Sequence, residues 1–113
     1  MGTLFDVYNE IGSGCHEKYY QNAIAVGLKN KGIHFSEQVY TPLIFQGTKV
    51  GSYFLDFLID SKIVLEIKKG DRFSKNNIEQ TLNYLKTSQL KLGILANFGQ
   101  SELKSRRIVN FDA

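Results

Sequence analysis

Apolar side chains recur at a helical spacing through the first thirty residues of the chain. Between residues 3 and 11 they lie three or four positions apart, which predicts a helix that ends at the Gly12-Ser13-Gly14 turn. The same spacing continues after the turn and predicts a second helix from about His16 to Asn30. Two consecutive helices therefore open the predicted fold.

After the second helix the pattern changes to alternation, which is typical of β-strands. A first strand covers Ile33–Phe45, and Pro42 within it lacks a backbone donor, which predicts an edge strand or a bulge. A turn at residues 46–49 leads into a second strand over Val50–Asp60, and a second turn leads into a third over Ile63–Lys68. Because these turns are short, we expect an antiparallel meander.

The last third of the chain predicts a helix that connects two parallel strands of the sheet. Ser74 is a suitable N-cap for a third helix from about Ser74 to Ser88. The apolar run Leu92–Phe98 predicts a buried strand, which is expected to lie parallel to the strand before the helix. A final short strand is predicted at Ile108–Val109. The fold class is therefore α/β (α+β), a mixed sheet flanked by helices in the order ααβββαββ.

Composition indicates a single globular domain but does not indicate a function. A chain of 113 residues is expected to form one domain, and 42% apolar and 22% charged residues are typical of a globular protein. The single cysteine excludes an internal disulfide. No signal peptide is recognisable, and no apolar run approaches the roughly 18 residues that span a membrane. We therefore expect a cytoplasmic protein, whose net charge of +3 is compatible with a nucleic-acid partner.

Two carboxylates are embedded in the apolar strands, where an unpaired charge is costly. Alternation places Asp56 on one strand face with Phe54 and Leu58. Pairing of the two strands about the Asp60-Ser61 turn brings Asp56 into register with Glu66. The two acids are therefore expected to lie next to each other.

This pair predicts a metal site. Asp56, Glu66 and the backbone carbonyl of Ile67 offer the oxygen ligands that Mg²⁺ or Mn²⁺ prefers. A bound ion would lower the pKa of a water molecule and neutralise charge on a phosphate, while Lys68 could position that water or steady the phosphate. The alternative is a cross-strand salt-bridge cluster of the two acids with Lys68.

The motif D-x9-E-I-K, followed by a helix that carries Q-x-x-x-Y, resembles the PD-(D/E)XK nuclease superfamily. More narrowly, the chain is similar to the small prokaryotic GxxxxR group of that superfamily, and the likeness covers nearly its whole length. The segments that carry the likeness are Tyr8–Gly14, Glu17–Ala23, Gly32–Val39, Leu65–Lys68, Gln80–Leu85 and Gly93–Gly99.

The resemblance implies a restriction-endonuclease-like core and divalent-metal-dependent hydrolysis of phosphodiester bonds in DNA, or less favourably RNA. It implies catalytic roles for Asp56, Glu66 and Lys68. It also points to Glu17 as a further acid near the site and to Gln80 as a residue that faces the site from the third helix. The chain departs from the group at Phe54, where an arginine is usual.

Five basic residues are expected to contact nucleic-acid phosphates if the chain is a nuclease. They are Lys69, Arg72, Lys104, Arg106 and Arg107. Two other functions stay open beside the nuclease. One is a non-catalytic nucleic-acid-binding module of the same fold, which Phe54 favours; the other is a protein-interaction subunit that forms a homo-oligomer.

Overall fold

The computed structural model describes residues 2–113, which form three helices and five strands. The elements, in chain order, are α1 (Gly2–Ile11), α2 (Glu17–Asn30), β1 (Phe35–Phe45), β2 (Thr48–Ile59), β3 (Ile63–Lys69), α3 (Lys75–Ser88), β4 (Leu92–Phe98) and β5 (Leu103–Val109). The predicted order is confirmed. No helix within this described range is both long enough and apolar enough to span a bilayer.

The five strands form one mixed sheet in the order β1-β2-β3-β4-β5. The pairs β1/β2 and β2/β3 are antiparallel, as the short turns predict. The strands β3 and β4 are parallel, because α3 carries the chain back across the sheet between them. The strand β5 returns antiparallel to β4.

The prediction of a two-residue final strand was wrong. The strand β5 begins at Leu103 and pairs with β4 along seven residue positions. Its middle residues, 104–107, are charged or polar, and Ile108 is the one buried residue of the strand. Edge strands often carry such charges, which hide the strand from a pattern based on apolar residues.

The helices cover both faces of the sheet. Side chains of α1 and α2 pack on one face, in a core that includes Tyr20, Ile24 and Phe57. Side chains of α3 pack on the other face, in a core that includes Leu55 and Leu85. We refer to these as the α2 face and the α3 face. The functional side chains described below lie where β2 and β3 separate, between the α2 face and the α3 face.

Packing of Tyr20 fixes the start of α2. Its ring is stacked on Phe98 with 4.2 Å between the centroids, and the side chain is fully buried. Its hydroxyl donates to the Gly12 carbonyl at 2.7 Å, which holds the turn between α1 and α2. Because Gly12 has a φ of +78°, this turn suits glycine. The first turn of α2, with Glu17, is thereby held against the sheet.

The strands β1 and β2 extend beyond the rest of the sheet. They pair with each other from Phe35–Ile59 to Phe45–Thr48, whereas β2 pairs with β3 only from Phe57 to Ile59. We call residues 38–55 the β1–β2 ribbon. The register shifts once between Leu43 and Ile44, and Pro42 lies in an edge strand, as predicted.

Candidate active site between β2 and β3

The strands β2 and β3 separate immediately beyond the Phe57–Leu65 pair, and two acids lie at this point. The Asp56 backbone N–H donates to Glu66 Oε1 at 2.9 Å. The Ile67 backbone N–H donates to Asp56 Oδ2 at 2.7 Å. Two side-chain-to-backbone bonds therefore replace the backbone ladder, and they hold the carboxylates side by side, as the register predicted.

The alternation of β2 is interrupted at Asp56. Leu55 packs in the core of the α3 face and Phe57 in that of the α2 face, although residues two positions apart normally share a face. The prediction that Asp56 shares a face with Leu58 was therefore wrong, because Leu58 packs on the α3 face. The opposing residue in β1, Gln38, has a φ of +48°, so both strands are distorted at the same level.

Gln21 binds Asp56 from α2. Its Nε2 donates to Asp56 Oδ1 at 2.8 Å, and its Oε1 accepts from Gln38 Nε2 at 3.1 Å. Both Asp56 oxygens thus accept a hydrogen bond from the protein. Our sequence prediction missed Gln21, although it lies one helical turn after Glu17, the spacing that places two side chains on the same side of a helix.

Glu17 lies at the end of β3. Its Oε1 accepts from the Lys69 backbone N–H at 3.0 Å, and Lys69 Nζ donates to the Gly14 carbonyl at 3.4 Å. The start of α2 is therefore attached to β3 directly beyond Lys68. This contact gives Glu17 a partner in the sheet, in addition to the favourable effect of an acid at a helix N-terminus.

Burial and mutual repulsion disfavour ionisation of the acid pair. Burial first, and then the charge of the neighbouring Asp56, raise the pKa of Glu66, which reaches about 7 although the hydrogen bond from the Asp56 backbone and the charge of Lys68 act in the opposite direction. Burial also raises the pKa of Asp56, against the hydrogen bond from Ile67 and the charge of Lys68. Glu17 adds a smaller upward contribution to the pKa of both acids.

The alternative prediction, a salt-bridge cluster of the two acids with Lys68, does not match the structure. Within residues 2–113, no lysine or arginine nitrogen lies within 4.0 Å of either carboxylate. Lys68 lowers the pKa of both acids by its charge at a longer distance. The pair is thus two adjacent, largely buried acids that have no paired cation among the described residues.

The α3 face contributes Tyr53. Burial raises the pKa of Tyr53 to about 12, with smaller contributions from Glu66 and Tyr84, so its hydroxyl stays protonated near Glu66. This hydroxyl donates to the backbone carbonyl of Gln80 at 3.4 Å. The structure therefore connects Gln80 to the site through its backbone carbonyl, and Gln80 also lines a surface groove with Glu79 and Asn83.

The five predicted phosphate-contacting residues fall into two groups. Lys69, Arg72 and Lys104 belong to the end of the sheet that carries Lys68, because Lys104 pairs with Asn97, which pairs with Lys68. Lys104 Nζ also donates to the carbonyl of Asp71, in the loop after β3, at 3.2 Å. Arg106 and Arg107 are exposed further along β5, and as successive strand residues they point to opposite faces.

The donors in this site suit a hard divalent cation. The described part of the chain, residues 2–113, has no group of three or more His, Cys, Asp or Glu side chains arranged to hold a metal, so any ion needs backbone or solvent oxygens as well. Asp56, Glu66 and the Ile67 carbonyl supply oxygen only, which favours Mg²⁺ or Mn²⁺. A cation here would also offset the repulsion that raises both pKa values.

A mixed sheet with helices on both faces, opened over two acids between β2 and β3, defines a restriction-endonuclease-like α/β fold. A family model of the PD-(D/E)XK nuclease superfamily matches residues 1–108, and the chain belongs to this superfamily. The crystal structure of SSO0001 is similar, with a TM-score of 0.60 and 21% sequence identity. That similarity covers 82% of this chain and 49% of SSO0001, and it concerns the fold. None of the curated protein sequences compared with the chain matches it.

Proposed function

We propose that this protein is a divalent-metal-dependent nuclease that hydrolyses phosphodiester bonds of DNA. One observation carries the proposal. Asp56 and Glu66 are held side by side by two backbone N–H groups, and no cation is paired with them among the described residues 2–113. Carboxylates arranged in this way are expensive to bury, and strongly perturbed acids of this kind cluster at functional sites.

Each residue of the site has a proposed role. Asp56, Glu66 and the Ile67 carbonyl would hold Mg²⁺ or Mn²⁺, which when bound lowers the pKa of water and neutralises charge on a phosphate. Gln21 fixes the orientation of the Asp56 carboxylate through its 2.8 Å bond. Lys68 lies on β3 two positions after Glu66 and would steady the negative charge of the phosphate.

Glu17 and Gln80 have less direct roles. Glu17 accepts from the backbone of Lys69 and so holds the strand end that presents Lys68. It is also an additional acid close enough to raise the pKa of both Asp56 and Glu66. Gln80 is assigned to the α3 side of the site, where its carbonyl accepts from Tyr53. Lys69, Arg72 and Lys104 would contact phosphates on either side of the cleaved bond, with Arg106 and Arg107 further away.

Labelled oligonucleotides test the proposal. Wild-type protein should cleave DNA in Mg²⁺ or Mn²⁺ and not in EDTA, and Glu66→Ala should abolish cleavage. Glu79→Ala is the matched control, because Glu79 is an exposed acid on α3 that lies 3.9 Å from Lys75. Identical behaviour of wild type and Glu66→Ala would remove the catalytic assignment, and preferential cleavage of RNA would change the substrate from DNA to RNA.

A non-catalytic nucleic-acid-binding module is the second candidate. Both Asp56 oxygens and one Glu66 oxygen already accept hydrogen bonds from the protein, so the pair is held in place without an ion. This candidate predicts salt-sensitive binding of nucleic acid and no cleavage. Calorimetric titration of Mg²⁺ and Mn²⁺ into wild type and Asp56→Asn separates the two, since only a nuclease requires metal binding that the substitution removes.

A further inference from the structure

The β1–β2 ribbon carries an uncovered patch beside the two acids. Alternation along β1 places Tyr40 and Ile44 on the same side of the ribbon, next to their cross-strand partners Phe54 and Lys49. Lys49 shares this side with Phe54 because the register shift between Leu43 and Ile44 interrupts the alternation of β2. We call these four residues the aromatic platform. Tyr40 is 49% exposed, Phe54 55% and Ile44 56%. Contiguous apolar residues exposed on a protein surface often mark a binding surface.

Contacts within the platform hold its rings in place. Tyr40 and Phe54 are cross-strand partners, and their rings make an edge contact with 5.7 Å between the centroids. Lys49 Nζ lies 5.2 Å from the centroid of the Tyr40 ring, which is a cation–π contact. Each ring therefore has a packing partner within the platform, while about half of the surface of each residue remains open to solvent.

The position and charge of the platform favour nucleic acid as its occupant. Phe54 precedes Asp56 by two strand positions, a distance of about 7 Å along a strand. Residues 38–55 contain no acid, and Lys49 is their one charged residue. A two-fold dimer through this patch would bring the two Lys49 side chains into one apolar interface with no ribbon acid to pair with them.

We propose that the aromatic platform stacks an unpaired base of the substrate, next to the phosphodiester held at Asp56 and Glu66. The preferred substrate is then single-stranded or locally unpaired nucleic acid. Bases in a duplex stack on one another and do not expose their faces, whereas any unpaired base can stack on an aromatic ring. This inference rests on the proposed nuclease function for the position of the phosphate, and on the ribbon alone for the stacking.

Binding in EDTA tests the platform separately from cleavage. Fluorescence anisotropy should show tighter binding of a labelled single strand than of the matching duplex. Phe54→Ala should weaken single-strand binding about tenfold, because it removes the ring on which the base stacks. Phe54→Tyr should retain the affinity and Phe54→Leu should not. Phe5→Ala on α1, where Phe5 is 48% exposed, is the matched control and should change nothing.

A photochemical experiment checks the same contact without a substitution in the platform. Oligonucleotides with 5-iodouracil at successive positions should cross-link to peptides that contain Tyr40 or Phe54, as mapped by mass spectrometry. Cross-links confined to other peptides would overturn the inference. Unchanged single-strand affinity of Phe54→Ala and Tyr40→Ala would overturn it as well.

Two outcomes separate this inference from the proposed function. If wild type cleaves duplex DNA and neither Phe54→Ala nor Tyr40→Ala affects binding or cleavage, the nuclease assignment stands and the platform inference is wrong. If Phe54→Ala weakens single-strand binding but no metal supports cleavage, stacking is supported and the nuclease assignment is wrong. A dimer in light scattering that Phe54→Ala dissociates, without loss of nucleic-acid affinity, would instead assign the platform to a second copy of the chain.

Discussion

The two ends of the β2–β3 pair differ in what holds them together. At one end, from Phe57 to Ile59, a regular backbone ladder joins β2 to β3, and the side chains are apolar. At the other end, one residue further, the carboxyl groups of Asp56 and Glu66 take the place of the ladder. We refer to these as the closed end and the open end. The comparison shows that backbone pairing between apolar residues can fix the relative position of Asp56 and Glu66, although neither acid belongs to the paired segment.

The closed and open ends also contribute to stability with opposite sign. Burial of apolar side chains at the closed end is favourable, by about 25 cal/mol for each Å² removed from water. Burial of the acids at the open end is unfavourable, as the raised pKa of Glu66 shows. The following three experiments test this difference in order of decreasing effect.

The largest effect is expected at the closed end. Phe57→Ala should lower the free energy of unfolding by about 3–5 kcal/mol, because Phe57 is fully buried and its loss leaves a cavity. Urea denaturation measures the change. Phe111→Ala is the control, since Phe111 is 88% exposed, and it should change the free energy by less than about 0.5 kcal/mol. A small effect at Phe57 would show that the closed end does not hold the pair.

Glu66→Gln should stabilise the metal-free protein at pH 8. The pKa of Glu66 is raised from 4.5 to about 7, so the folded state binds more protons than the unfolded state between these values. Stability of the wild type therefore falls as pH rises through this window, and the penalty is complete above about pH 7. The substitution should recover about 2–3 kcal/mol at pH 8 and almost nothing at pH 4.5.

Denaturation in EDTA at both pH values measures this difference. Glu79→Gln, the exposed acid on α3, should show no comparable change between pH 4.5 and pH 8. If Glu66→Gln were destabilising at pH 8, the open end would contribute favourably and the contrast between the two ends would be wrong.

The smallest effect is expected at Gln21. Gln21→Ala removes the bond to Asp56 Oδ1 and should lower the free energy of unfolding by about 1 kcal/mol. Because Gln21 also orients the carboxylate, calorimetry should show weaker Mn²⁺ binding than in wild type. Asn22→Ala, at the adjacent exposed position of α2, is the control. Equal metal affinity in wild type and Gln21→Ala would assign Gln21 to stability alone.

Most of the fold was predictable because local patterns and global packing agree. The three helices, the antiparallel meander and the parallel crossover all follow from periodicity and turn length. The adjacency of Asp56 and Glu66 was predictable for the same reason, since a tight turn between two apolar strands fixes their register. Membership in the PD-(D/E)XK superfamily, which the motif indicated, is confirmed.

The errors arise where side chains act outside their local pattern. The face of Leu58 was assigned by strict alternation, which the distortion at Asp56 interrupts. The hydrogen bond of Gln21 to Asp56 was missed because the two residues lie 35 positions apart, although the spacing of Gln21 from Glu17 places both side chains on one side of α2. The length of β5 was missed because backbone pairing to β4 determines it, whereas the four residues in its middle are charged or polar.

The distortion at Gln38 and Asp56 has a consequence for how the chain can vary in length. Beyond this level the β1–β2 ribbon pairs only with itself, so its tip at Gln46-Gly47 is not in register with any other strand. Residue pairs could be inserted or deleted at this tip without moving Asp56 relative to Glu66, because the Phe57–Leu65 ladder fixes that relation independently. The ribbon is therefore a segment whose length can be altered while the acids stay in place.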